Sequence, residues 1–268
     1  MLPTYTFETD IDIFLKQFNE NGFVVVPPIF DLTLLTKLRA TMLELIDVEK
    51  ELINKENYKD YGFLLCAPYY ADKHPEILDI LNNDIYLKLI ESILEKWFTI
   101  YLYTNNCIPP NNGITKAVRI HVDTPRNIKD YNYLVGTLIL LDDFTEENGA
   151  TWFLPKSHKS TEVPTEEYFY KNAVRLIAPK GSVVFFNPCT WHTAGTNHTN
   201  DWRNCIIIAY SKPWIKQRVD IPRFMQHIDK SAISPHIKQL LGFEATPPSN
   251  FTEFYGDEGQ RTYTQPFV

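Results

Sequence analysis

The chain has 268 residues, and its 26 lysines and arginines against 33 aspartates and glutamates give a formal net charge of −7. A hydrophobic share of 44% with 22% charged residues excludes a disordered chain, and the acidic balance argues against nucleic acid or an anionic membrane as the main partner. Because the four cysteines show no CxxC spacing and no apolar run approaches the ~20 residues of a membrane helix, we expect a cytoplasmic protein with reduced thiols and no membrane segment.

The N-terminal third of the chain is predicted to be mainly helical. Apolar residues three and four apart over Ile11–Phe18 predict a first helix. The β-branched run 22–28, closed by prolines, predicts a short strand. Asp31 can cap a second, longer helix, and a third helix carries its apolar face over Leu87–Trp97.

From residue 99 onward, short strand-like runs alternate with turns rich in proline, asparagine and glycine. The predicted strands are Thr99–Ile108, Lys116–Asp123, Leu134–Asp142, Thr151–Leu154, Ala173–Ile177, Ser182–Asn187 and Arg203–Ser211. Many short strands in series are typical of a β-sandwich or barrel. The tail after Pro213 contains one predicted helix, around His236–Leu241.

No repeat, low-complexity tract or linker divides the sequence. We therefore predict one domain over residues 1–268, mostly β with packed helices. Residues 1–98 would form a mainly helical support, 99–212 the β core and 213–268 the C-terminal tail.

One short motif places two metal-ligating side chains together. His121 and Asp123 are two residues apart on a predicted strand, so their side chains share a face. An imidazole and a carboxylate are two ligands of a facial triad, and His192 is the candidate for the third. Arg203 follows His192 by eleven residues and leads into an apolar strand, where its planar guanidinium suits bidentate capture of a carboxylate.

In order and spacing, this pattern of His-x-Asp, histidine and arginine resembles the phytanoyl-CoA dioxygenase-like family. Three further segments are similar to that family: residues 22–25, 141–159 and 240–243. The resemblance implies a double-stranded β-helix of the jelly-roll or cupin type and an oxygenase that uses Fe(II), 2-oxoglutarate and O2.

The resemblance also implies roles for single residues. His121, Asp123 and His192 would hold Fe(II), and 2-oxoglutarate would chelate the iron while its distal carboxylate binds Arg203. Because related halogenases lack the carboxylate ligand, the presence of Asp123 favours hydroxylation of an aliphatic C–H bond, with release of succinate and CO2. The substrate would be a small molecule or natural-product intermediate.

Four more side chains are candidates near such a centre. An upstream amide that contacts the cosubstrate could be Asn105 or Asn106, and alternation alone leaves the choice open. Thr193 adjoins a position where relatives often carry a serine that contacts the cosubstrate. Trp152 and Arg119 are candidates for substrate binding, although Trp152 also suits the core and Arg119 also suits the surface.

Two other functions remain open at this stage. One is a β-helix protein that binds a metal or ligand without turnover, and the other is a cupin-type metal-dependent isomerase or hydrolase. Arg203 disfavours both, because neither function needs a buried arginine that binds a carboxylate. The basic residues after the last strand, Lys212, Lys216, Arg218 and Arg223, are the candidate patch for a coenzyme A phosphate, but the acidic net charge gives that substrate no support.

Overall fold

A computed structural model describes residues 11–52, 64–111, 119–124 and 128–256. Its strands are β1 Phe23–Val26, β2 Thr99–Ile108, β3 Leu134–Leu140, β4 Trp152–Phe153, β5 Val174–Arg175, β6 Val183–Phe186, β7 His192–Thr193 and β8 Arg203–Ser211. Its α-helices are α1 Ile11–Asn21, α2 Leu32–Leu52, α3 Glu76–Asp79, α4 Asp84–Leu94, α5 Glu166–Asn172, α6 Ile221–Phe224, α7 Pro235–Leu241 and α8 Phe251–Tyr255. Within the described residues, no helix has the length and apolarity to cross a membrane.

Two antiparallel sheets form the β core. The larger runs in the order β1-β6-β3-β8-β2 and the smaller in the order β5-β4-β7. Side chains from the two sheets meet between them, where Phe153 of β4 packs on Phe23 of β1 and Phe186 of β6. This double-stranded β-helix with packed helices confirms the predicted fold class.

Strand alternation sorts the side chains of the larger sheet into two buried faces. On β6, Val183 and Phe185 face the helices, whereas Val184 and Phe186 face the smaller sheet. Phe14 of α1 meets Phe185 edge-on, with 5.2 Å between the ring centroids. The helices therefore cover one face of the larger sheet, and the other face is left to build a site with the smaller sheet.

The N-terminal helices agree with the sequence, with one difference. Asp31 Oδ1 accepts hydrogen bonds from the backbone N–H groups of Thr33 and Leu34, at 2.9 and 3.0 Å, so it caps α2 as predicted. The third predicted helix, however, ends before Trp97, which is 50% exposed. Glu95 adopts a positive φ of 60° directly after α4 and turns the chain out of the helix.

The strand predictions are confirmed in full at β2 and β8, and several other strands are shorter than predicted. The prediction of a strand over Lys116–Asp123 is wrong in its described part. Residues 119–124 are irregular there and pair with the sheet through a single bridge at His121, while residues 112–118 lie outside the described part of the chain. The sequence also gave no sign of β7 or α5.

Candidate active site

Backbone hydrogen bonds join two segments that are far apart in the sequence. His121 N donates to His192 O at 3.0 Å and His192 N donates to His121 O at 2.9 Å, which closes an antiparallel bridge. Asp123 N donates to Pro188 O at 2.8 Å. The short segment that carries the His-x-Asp motif is thus held at two points, and β7 connects it to the smaller sheet through the pair Phe153–His192.

The bridge brings three metal-ligating side chains to one place. One potential ligand atom from each of His121, Asp123 and His192 lies within 4.8 Å of the others. Asp123 Oδ1 is 3.5 Å from His121 Nε2 and 3.8 Å from His192 Nε2. The side chain of His192 is only 11% exposed, whereas His121 and Asp123 are 40% and 38% exposed, so the cluster has one closed side and one open side.

Both histidine rings are oriented by backbone carbonyls. His121 Nδ1 lies 2.7 Å from Arg119 O, and His192 Nδ1 lies 2.9 Å from Thr190 O. Because a carbonyl oxygen only accepts, Nδ1 carries the proton in each neutral ring, and the Nε2 lone pair is directed towards Asp123. Two imidazoles and one carboxylate arranged in this way fit a divalent metal such as Fe(II).

The surroundings of His192 and Asp123 favour the metal-binding form of each side chain. Burial lowers the pKa of His192, so its ring is neutral near pH 7. Burial raises the pKa of the Asp123 carboxyl, but His192, His121 and Arg218 lower it, and the net shift is downward. For His121, burial lowers the pKa, while the hydrogen bond that the protonated ring donates to Asp123, and the charge of Asp123, raise it overall.

The loop before His192 is fixed to the end of α1. Thr190 Oγ1 donates to Gly22 O at 2.9 Å, and Asn187 N donates to the same carbonyl at 2.8 Å. Gly22 has a φ of +84°, and a Cβ at this position would overlap His158 Nδ1 and Thr190 Oγ1. Glycine is therefore required both by the backbone conformation and by the close approach of the loop.

Arg203 is fully buried and incompletely paired. Its Nη1 is 3.4 Å from Thr151 Oγ1 and its Nη2 is 3.5 Å from Asn106 Oδ1, both long hydrogen bonds. Within the described residues its Nε has no hydrogen-bond partner, and no carboxylate forms an ion pair with it. Burial lowers the pKa of Arg203. A buried guanidinium in this state fits a site for the carboxylate of a ligand.

Strand register distinguishes the two candidate asparagines. Asn106 of β2 lies opposite Cys205 of β8, so it shares the face of Cys205 and of Arg203, which is two residues away on the same strand. Asn105 faces the helices instead, and its Oδ1 accepts a hydrogen bond from Leu64 N at 2.8 Å. Asn105 therefore supports the fold, and Asn106 is the amide that adjoins Arg203.

Two other predicted residues lie on the far face of the smaller sheet. Trp152 pairs with Thr193, and the next pair along these strands contains His192, so alternation directs Trp152 and Thr193 away from the His192 ring. The Trp152 ring contacts Arg175, whose Cζ is 4.6 Å from the ring centroid, and Tyr170. Both side chains are thus directed away from the metal-ligating cluster.

Arg119 is exposed, and its backbone carbonyl contacts the His121 ring. The structure therefore places it beside the open side of the cluster without a described contact from its side chain to the ligands. Sequence reasoning missed Thr151 and Phe144, whose ring centroid is 4.3 Å from Arg203 Cζ. Both lie in segment 141–159, and the resemblance of that segment to the family was the available signal. The contact between the Thr151 hydroxyl and a guanidinium 52 residues away, however, is visible only in the fold.

A double-stranded β-helix with two histidines, one carboxylate and a buried arginine has the features of the mononuclear non-haem iron oxygenases. A family model described as Phytanoyl-CoA dioxygenase (PhyH) matches residues 18–205. The chain belongs to this family, as the sequence motifs predicted.

Curated relatives and solved structures are also similar to this chain. Uncharacterized protein Rv1501 of Mycobacterium tuberculosis is 26% identical over 259 residues, which cover 95% of each chain. Dioxygenase af480 of Aspergillus fumigatus is 29% identical over 176 residues, 61% of this chain and 53% of the relative.

Among solved structures, AviO1 of Streptomyces viridochromogenes has a TM-score of 0.60 at 21% identity and covers 78% of this chain and 98% of its own. HygX of Streptomyces hygroscopicus, solved with nickel and 2-oxoglutarate bound, has a TM-score of 0.59 at 15% identity over 80% and 90% of the two chains. The epimerase SnoN from nogalamycin biosynthesis has a TM-score of 0.58 at 15% identity over 76% and 81%. At these identities the likeness concerns the fold.

Proposed function

We propose that the chain is an Fe(II)- and 2-oxoglutarate-dependent oxygenase that hydroxylates an aliphatic C–H bond of a small molecule. One observation carries this proposal: a cluster of two histidines and one carboxylate occurs in the same fold as a buried guanidinium that lacks an acidic partner in the described residues. A protein that only holds a metal needs the first feature alone. A keto acid that chelates a metal and carries a second carboxylate uses both.

His121, Asp123 and His192 would hold the iron through their Nε2 and carboxylate oxygen atoms. When bound with 2-oxoglutarate, iron supplies the O2-dependent oxidising chemistry, and the keto acid leaves as succinate and CO2. The chain contributes orientation, because the carbonyls of Arg119 and Thr190 fix which nitrogen of each ring faces the metal. Asp123 contributes a negative charge at neutral pH, because its pKa is lowered.

Arg203 would bind the distal carboxylate of the cosubstrate. Its fork of N–H donors can form two parallel hydrogen bonds with a carboxylate, which a lysine cannot. The Thr151 hydroxyl adjoins Nη1 and can donate to the same carboxylate, and the Asn106 amide adjoins Nη2. Ala194 stands where relatives often carry a serine, so we assign the hydroxyl contact to Thr151.

Epimerisation is a second candidate for the reaction that the iron centre would catalyse. The fold neighbour SnoN is named an epimerase, and epimerisation would use the same metal ligands and the same arginine. Hydroxylation places an atom of O2 in the product, whereas epimerisation inverts a carbon centre without adding oxygen. Product mass after turnover under ¹⁸O2 distinguishes them, and a product without added label contradicts hydroxylation.

The cosubstrate assignment is tested without a substrate. Fe(II) and 2-oxoglutarate are added to the protein under nitrogen, and the visible spectrum is recorded. A weak charge-transfer band is expected when the keto acid chelates the iron, and succinate should form once air is admitted. A metal-binding protein without turnover, or a cupin-type isomerase or hydrolase, gives neither signal, and their absence would refute the proposed function.

A further inference from the structure

The backbone directly after Arg203 is held by hydrogen bonds from the segment that follows β3. Asn204 N donates to Asp142 Oδ2 at 2.9 Å, and Asn204 Nδ2 donates to the same oxygen at 2.6 Å. Asn204 O accepts a hydrogen bond from Leu141 N at 3.1 Å. Asn204 is fully buried. The residue next to Arg203 is thus fixed at its N–H group, its carbonyl and its side chain.

The backbone before Arg203 is connected to the same carboxylate through α2. Arg39 of α2 donates from Nε to Asp142 Oδ1 at 2.6 Å and from Nη2 to Asp201 Oδ2 at 3.1 Å. Asp201 Oδ1 accepts a hydrogen bond at 2.7 Å from the N–H of Trp202, the residue that precedes Arg203. The Arg39 and Asp142 side chains are 25% and 21% exposed, against 77% for Asp201. The Arg39–Asp142 pair is therefore the better shielded from water of the two ion pairs.

Asp142 uses both of its carboxylate oxygens to join α2 to the start of β8. Oδ1 accepts from Arg39 and Oδ2 accepts twice from Asn204, so three N–H groups donate to one side chain. An ionised carboxylate only accepts hydrogen bonds, and it can satisfy all three donors. An asparagine has one acceptor oxygen, and its amide N–H groups would face one of these donors. The junction therefore requires a carboxylate and not merely a polar side chain of this size.

Asp142 acts on the Arg203 side chain through the backbone. Arg203 and Asn204 are neighbours on β8, so their side chains point to opposite faces of the sheet. The Asn204 side chain meets Asp142, whereas the Arg203 guanidinium lies against Phe144 on the other face. In the part of the chain that the structure describes, no ion pair joins Asp142 to Arg203. Burial lowers the pKa of Arg203, and the charge of Asp142 is one of those that counter this shift.

Building on the proposed function, we propose that Asp142 is a positioning residue of the cosubstrate site: it fixes the start of β8 so that the Arg203 guanidinium is aligned with the distal carboxylate of 2-oxoglutarate. The paired hydrogen bonds between a guanidinium and a carboxylate depend on alignment as well as on charge. Around metal ions, partners that orient a ligand without touching the metal are worth about 10–100-fold in affinity, and we expect the lower end of that range here. Arg39 supports Asp142 from α2 and is the second member of the same device.

Two keto acids separate this role from a general effect on the fold: 2-oxoglutarate, and 2-oxopentanoate, which has the same carbon chain without the distal carboxylate. Both can chelate Fe(II) through the keto oxygen and the adjacent carboxylate, but only 2-oxoglutarate can bind Arg203. Each is titrated under nitrogen into the iron-loaded protein, and the charge-transfer band is recorded. Asp142→Asn should weaken 2-oxoglutarate binding about tenfold, because the guanidinium loses its alignment. Its affinities for 2-oxopentanoate and for Fe(II) should stay within about twofold of the wild type, because neither ligand contacts Arg203.

Three further variants complete the test. Asp143→Asn is the matched control, because this neighbouring carboxylate accepts from Lys180 N at 2.7 Å and not from β8, and it should bind both keto acids like the wild type. Arg39→Gln leaves Asp142 bonded to β8 but removes its partner on α2. It should weaken 2-oxoglutarate binding about threefold, the value of a partly exposed ion pair. Arg39→Lys keeps the positive charge and should restore part of that loss.

Two results overturn the inference. If Asp142→Asn keeps the wild-type ratio of the two affinities because neither changes, Asp142 does not align Arg203. If both affinities fall equally, Asp142 supports the fold alone. Should Asp142→Asn fail to fold, the two Arg39 variants decide by the same ratio. A wild-type protein that gives no charge-transfer band, or that binds both keto acids equally, contradicts the proposed function and its assignment of Arg203, which is a separate outcome.

Discussion

Arg203 Cζ lies 4.3 Å from the ring centroid of Phe144, so the guanidinium is packed against an aromatic face inside the β core. This contact fixes the guanidinium in a position where its Nη atoms adjoin Thr151 and Asn106. Its charge, in contrast, is left without an acidic partner in the described residues. The guanidinium is thus held in a fixed orientation, and its charge is available to bind the carboxylate of a ligand.

Replacing Arg203 tests this role. Arg203→Ala should weaken 2-oxoglutarate binding by about 2–5 kcal/mol, because it removes one partner of a buried charge pair. Arg203→Lys should recover only part of the loss, since an ammonium group cannot form the paired hydrogen bonds. Titration of 2-oxoglutarate into the anaerobic iron-loaded protein, followed by the charge-transfer band, measures the effect. An unchanged affinity in both variants would remove Arg203 from the cosubstrate site.

Thr151 offers a finer test with a matched pair of variants. Thr151→Val keeps the shape but removes the hydroxyl, and should weaken 2-oxoglutarate binding about fivefold, the value of one ordinary hydrogen bond. Thr151→Ser keeps the hydroxyl and should bind close to the wild-type level. The same titration gives both values. If valine and serine have the same effect, the hydroxyl makes no contact with the cosubstrate.

The metal ligands and Arg203 could be predicted from the sequence, whereas the choice between the two asparagines could not. His121, Asp123, His192 and Arg203 stand out because their residue types and spacing match a family pattern, and β2 and β8 have strong strand periodicity with clear ends. The choice between Asn105 and Asn106 could not be made, because it depends on the register between β2 and β8, which includes an irregularity after Ile100.

Other features were invisible for a different reason. β7 has two residues and α5 has seven, so neither has enough sequence to show a period, and each is stabilised by tertiary contacts. The predicted strand before Asp123 failed because its residues bond to the loop at Pro188 and to His192 instead of joining a sheet in register. Such contacts depend on the fold as a whole and leave no local pattern.

The metal ligands are tested one at a time. His121→Ala, Asp123→Ala and His192→Ala should each abolish 2-oxoglutarate consumption and weaken iron binding, because each removes a direct ligand. His198→Ala, at an exposed histidine in the following loop, is the control and should behave like the wild type. Asp123→Gly leaves two histidine ligands, and retained hydroxylation in that variant would mean that Asp123 is not a ligand. Iron content and succinate formation are the measurements.

The turn at Gly22 should be intolerant of any side chain. Gly22→Ala forces a residue with a Cβ into a φ of +84° and against His158 and Thr190, so we expect a loss of about 1–3 kcal/mol from the backbone strain alone. Gly256→Ala is the control, because its φ of −61° suits alanine. The free energy of unfolding in urea measures both. A Gly22→Ala protein as stable as the control would show that the turn rearranges at little cost.

His158 should make the stability of the fold depend on pH. Burial lowers its pKa, and its Nδ1 has no hydrogen-bond partner in the described part of the chain, while its Nε2 lies 3.2 Å from Asn19 O. The unfolded chain therefore takes up a proton at a higher pH than the folded one. The stability contributed by the neutral ring is present above the unfolded pKa of about 6.5 and is lost as the pH falls towards the lower folded pKa.

His158→Gln removes this titration and keeps a polar side chain of similar size. Urea denaturation at a series of pH values between about 7.5 and 5 should show a smaller loss of stability in the variant than in the wild type, because one proton-linked group is gone. The quantity to compare is the difference between the two proteins at each pH, since the other titrating groups cancel. A difference that stays constant across this range would show that His158 takes up its proton equally in the folded and unfolded states.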